Sequence, residues 1–145
     1  MEIVQFIHSK WAYLVLVVLI IATVNALIKF FGNKEFDPKD FRIALFTLIT
    51  MHIQLLIGIV LFFMKDYFGT IKEVGGMGEV MKNSALRNLI VEHPLTMIIA
   101  ITLVTIGYSK HKKKLTSKPK FKMLAIFYTI ALVLVLAKIP WNLWF

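Results

Sequence analysis

The chain contains no cysteine. That absence removes disulfides, thiol redox chemistry, cysteine-held iron–sulfur clusters and haem attached covalently through cysteines. Chemistry carried by histidine is untouched. Acidic residues are also scarce, eight against seventeen lysines and arginines, for a formal net charge of +9. No residue set marks a substrate pocket, and no internal repeat is visible. Four apolar blocks and three loops use up the 145 residues, so no separate soluble domain is expected among them.

Hydrophobic residues make up 59% of the chain, and its mean hydropathy is +0.77. A soluble domain of this size does not need that much apolar surface. The apolar residues cluster in blocks of the roughly 20 residues that cross a bilayer's hydrocarbon core. The sequence therefore predicts an all-α integral membrane protein, a single transmembrane domain over residues 1–145. Its helices are expected at 11–31, 41–64, 85–108 and 121–140, with the first one free to start before His8. Short connections make an antiparallel up-down-up-down four-helix bundle the default. Asp37 or Asp40 suits an N-cap, Pro38 a first helical turn and Ser84 a further N-cap. The stretch Lys65–Asn83, with Gly75, Gly76 and Gly78, reads as the longest loop.

Val24-Asn25-Ala26 loosely resembles a signal-peptide cleavage site. Residues 1–11 carry one acid and one base rather than a positive leader, so the first block is expected to stay as a helix. Eleven lysines and arginines fall on the side of the first and third loops and six on the other side. The positive-inside rule puts the lysine-rich loop Ser109–Lys120 inside and both termini outside a bacterial cytoplasmic (inner) membrane. Trp11, Trp141 and Trp144 then fall at the outer interface. The positive charge is expected to face anionic lipid, not nucleic acid.

Two histidines lie inside apolar blocks, His52 within Ile43–Met64 and His93 within Leu86–Tyr108. Ionisable side chains at that depth are costly and usually have a partner or a task. The bland alternative for His52 is a hydrogen bond to a neighbouring helix. The face continuing from His93 reads Thr96, Ala100, Val104, Gly107, a stripe of short side chains. Such a stripe lets a flat macrocycle approach, or simply lets helices pack closely. Pro94 should kink the helix. Glu92 is either an interfacial carboxylate or an acceptor for a ligand's second nitrogen. His8 heads a face of Ala12, Val15, Leu19, Ala22 and Ala26 and is able to meet His93 in the outer leaflet. His111, between two lysines, is expected to be solvated. Asn25 and Lys29 are expected to anchor the first helix. Thr47, Thr50, Gln54 and Gly58 form a second stripe on the His52 helix, on the opposite side from His52.

Among histidine-ligated centres, protohaem needs only one or two imidazoles from facing helices. A mononuclear metal site would need a third or fourth ligand at one depth. By residue count at 1.5 Å per residue, His93 lies roughly 7 Å deeper than His8, and His52 roughly 7 Å deeper again. Candidate metal ligands are His93, His52 and His8, with His52 the preferred partner of His93. Ala100 and Gly107 are candidate haem contacts.

Four runs carry a resemblance: His8-Ser9-Lys10-Trp11; Met51-His52-Ile53-Gln54-Leu55-Leu56-Ile57-Gly58; Val91-Glu92-His93; and Ile106-Gly107-Tyr108-Ser109. Together they resemble small four-helix bacterial membrane proteins of the cytochrome b type. The resemblance implies a haem b held by His8, His52 or His93. Two functions follow as expectations. One is electron transfer, from a quinol or a partner subunit, within a homo-oligomer or a larger respiratory-type complex. The other is a cofactor-free accessory subunit with its histidines satisfied internally.

Overall fold

A computed structural model describes residues 2–140; Trp141 and Trp144 lie outside the described residues. All regular structure among them is helical. Four stretches are long and apolar enough to cross a membrane: Glu2–Phe31, Pro38–Met64, Ser84–Lys113 and Ser117–Lys138. The elements are α1 (Glu2–Phe31), α2 (Pro38–Met64), α3 (Tyr67–Glu73), α4 (Met77–Lys82), α5 (Ser84–Arg87), a π-helical turn (Asn88–Glu92), α6 (His93–Lys113) and α7 (Ser117–Lys138). Each long helix packs on the next, and α7 packs back on α1, which closes an antiparallel bundle. The end near Glu2 and Lys138 is called the upper end here, and the lysine-rich end the lower. Outward side chains such as Val17, Phe46, Leu56, Phe63, Leu95 and Val133 are at least half exposed. So continuous an apolar belt suits hydrocarbon, not water.

The first three spanning helices run past the expected bounds, and the fourth starts early, at Ser117, and ends at Lys138 rather than at residue 140. α1 begins nine residues before Trp11. Trp11 thus falls inside α1, and its Nε1–H donates to the Thr50 carbonyl of α2 at 2.9 Å. The expected loop Lys65–Asn83 holds two short helices joined by Gly75 and Gly76, whose φ values of 104° and 107° suit residues without a Cβ. Asn83, rather than Ser84, caps α5, accepting from the backbone N–H groups of Ala85 and Leu86.

Pro94 has no N–H, and its ring crowds the preceding turn. The chain answers with the π turn just before it, closed by the His93 N–H on the Asn88 carbonyl.

His111 is not solvated. The helix continues a turn beyond Tyr108, which brings His111 onto the same buried face as Val104 and Gly107. It is fully buried against the rings of Phe36, Phe41 and Tyr108, and its Nδ1 bonds to the Tyr108 carbonyl.

Small side chains bring the backbones close. A Cβ built on Gly107 would lie 2.5 Å from Phe127 Cβ on α7. Substituting Gly107 by Ala must therefore push α6 and α7 apart. The expected cost is about 1–3 kcal/mol, read by denaturant unfolding in detergent. An unchanged unfolding midpoint would count against this seam. Tyr128, fully buried on α7, reaches across the bundle to donate to the Ala44 carbonyl of α2 at 2.9 Å.

Candidate functional site

The upper half of the bundle brings His8 and His93 together. The earlier start of α1 closes the depth gap expected between them. Their ring centroids are 6.5 Å apart, with planes at 87°. Both side chains are half-buried.

His93 is the first residue of α6, directly after the π turn. Its Nδ1 lies 2.9 Å from the Lys138 carbonyl. A carbonyl only accepts, so Nδ1 carries the proton and the Nε2 lone pair is left free. That carbonyl is available because α7 ends at Lys138. Glu92 does not bond His93. It pairs with Arg87 at 3.2 Å and with the Lys138 ammonium at 3.3 Å, tying the start of α6 to the end of α7.

His8 is held differently. The second stripe of α2 faces α1 along its length, so the polar residues the sequence shows opposite His52 meet His8. Gln54 donates from Nε2 to the His8 carbonyl at 2.8 Å. One turn on, Gly58 makes room for the ring: a Cβ there would lie 3.2 Å from His8 Cε1. His8 Nδ1 and Gln54 Oε1 are both buried and have no hydrogen-bond partner. Native structures seldom leave such atoms unsatisfied.

A cavity of about 430 Å³ adjoins the two rings, lined by side chains from all four long helices. Met51, Leu55, Met97 and Val135 make its walls apolar, while His8, His93 and Gln54 supply polar atoms. Tyr67 of α3 also lines it, and burial pushes its phenol pKa up.

The other candidates lie elsewhere. His52, the preferred partner of His93, faces outward from α2 and is exposed. Its Nδ1 bonds to the Leu48 carbonyl one turn back at 2.8 Å, and its Nε2 is 3.5 Å from Thr105 Oγ1. The period of α2 forces this, since His52 and the Gln54–Gly58 stripe occupy different faces. Ala100 and Gly107 do not line the cavity; both are buried, and Gly107 abuts Phe127 of α7. The stripe continuing from His93 is thus a helix-packing seam. No group of three or more His, Cys, Asp or Glu able to hold a metal ion occurs among the described residues. Two imidazoles are the available ligand set. The Lys138 carbonyl leaves no side-chain signal in the sequence, and Gln54 and Gly58 show there only as part of a stripe on α2.

No family model, curated protein or solved structure matches this chain.

Proposed function

We propose that the chain is an integral membrane protein that binds one haem b between His8 and His93 and carries single electrons. The observation that carries this reading is the imidazole pair itself. Their ring centroids stand 6.5 Å apart, near enough for both rings to hold one group between them. The adjoining cavity is apolar and of ligand-pocket size. The resemblance to cytochrome b type proteins includes His8, Gln54, Gly58 and His93, the residues that meet here.

His8 and His93 would hold the group through their imidazoles. A bound haem supplies one-electron redox chemistry. The Lys138 carbonyl keeps Nδ1 of His93 protonated and fixes the ring's orientation. Apolar walls exclude water. Haem extracted from the purified chain and quantified as its pyridine complex tests the reading. About one haem per chain is expected from one histidine pair, and none would overturn it.

The same proposal places the chain in a bacterial cytoplasmic membrane with both termini outside. It exchanges electrons with a quinol, a second copy or a partner subunit, since its short loops offer no soluble docking domain. A cysteine introduced at Lys114 should react with an impermeant maleimide only after the cells are opened. Labelling from outside intact cells would reverse the topology.

A further inference from the structure

We propose that the outward groove between α1 and α2, at the lower end of the bundle, holds one anionic phospholipid, with its phosphate on Arg42 and an acyl chain along the groove. This rests on the membrane placement proposed above and is independent of the haem.

The groove measures about 290 Å³ and is lined by Val18 and Ile21 of α1 and by Arg42, Ile43 and Phe46 of α2. It opens outward, since Ile21 and Phe46 are half exposed. Its direction follows from the helix pairing. The Thr47 hydroxyl lies 3.3 Å from the Val18 carbonyl, so Val18 and Phe46 stand at nearly the same depth. Arg42 precedes Phe46 by four residues, which puts it roughly 6 Å nearer the lower end. The groove is therefore apolar at its deep end and cationic at its lower mouth. That is the order of a lipid's chain and phosphate.

Charge decides the occupant. Asp37 and Asp40, the acids at the start of α2, both pair with Lys29. Neither Arg42 nor Lys39 has a side-chain hydrogen bond or ion pair among the described residues. Lys39 precedes Arg42 by three residues, so the two exposed cations share one face of α2. A guanidinium at the edge of hydrocarbon needs a counter-charge, and its planar fork matches two phosphate oxygens. A choline headgroup brings its own cation beside the phosphate. A glycerol headgroup does not, so two unpaired cations favour it. Basic recesses between helices on the cytoplasmic side are where anionic headgroups bind.

The test reconstitutes the full-length chain in nanodiscs of equal parts phosphatidylglycerol and phosphatidylcholine. Native mass spectrometry then counts the lipids that stay bound when the chain is released. The wild type should retain one phosphatidylglycerol in preference to phosphatidylcholine. Arg42→Gln should lower that retention about 5-fold or more. Lys122→Gln removes the same charge from an exposed site at the same end, on α7, and should leave retention unchanged. Ile21→Trp fills the groove from an exposed wall with both cations in place, and should also lower retention. Equal retention of the two lipids by the wild type overturns the proposal. So does an unchanged Arg42→Gln, an unchanged Ile21→Trp, or a loss in Lys122→Gln as large as in Arg42→Gln. A wild type released as a pair of chains without lipid gives this face to a second copy instead, and also overturns it. A chain that never enters the discs overturns the membrane placement, and this inference with it.

Discussion

Substituting His93 by Ala is expected to abolish b-type haem content, and His8→Ala to do the same, while His52→Ala keeps haem at the wild-type level. The contrast follows from placement. His8 and His93 face one another across 6.5 Å beside an apolar cavity. His52 points outward, with Nδ1 committed to its own helix at Leu48. Removing groups that merely orient a ligand typically costs about 10–100-fold in affinity, and removing a ligand should cost at least as much. Helical circular dichroism should be unchanged in all three variants, because none of these side chains is fully buried. The measurement is haem per chain after purification. Wild-type haem in His8→Ala together with loss in His52→Ala would exchange the roles assigned here.

The second large effect is expected at the lower end of the bundle. Asp40→Ala should destabilise the protein by about 3–5 kcal/mol, because it breaks a buried ion pair from one side. The Asp40 side chain has no exposed surface, and its Oδ1 accepts from Lys29 at 2.8 Å and from Asn25 at 2.9 Å. Its Oδ2 accepts the Asp37 N–H at 2.8 Å, which secures the start of α2. Without the carboxylate, the three-quarters-buried Lys29 ammonium loses its closest counter-charge. Asp40→Asn keeps an acceptor oxygen but not the charge, so it should fall between the two. Denaturant unfolding in detergent measures the series. Asp40 lies fourteen residues before Gln54 on one helix, roughly 20 Å along its axis, so the histidine pair should keep its properties. A loss of haem as large as the loss of stability would contradict that separation.

The four helices were legible because their evidence is local. Each is a long apolar run, and the connections are too short for anything but antiparallel neighbours. The inward face of α1 was legible too, since Val15, Leu19, Ala22 and Ala26 follow the helical period and are all buried. What the sequence could not supply was contact between helices. His52 drew attention by its depth, yet depth does not say which way a side chain faces. The same period that turns Gln54 and Gly58 onto His8 turns His52 away from it. The stripe Ala100–Gly107 fits a macrocycle and a packed helix equally well as a pattern; only Phe127 of α7, against Gly107, decides between them. His111 misled through its lysine neighbours, because adjacent residues on a helix point some 100° apart. The meeting of His8 and His93 depended on where α1 begins, and helix ends are the least certain feature of a sequence reading.

The central claim is that this bundle holds a haem between two histidines, and one spectrum of the purified wild-type chain tests it most directly. A dithionite-reduced minus oxidised difference spectrum should show a sharp α band of b type, with the low-spin form expected of two imidazole ligands. A featureless difference spectrum, from protein purified out of haem-replete cells in a mild detergent, would contradict the account.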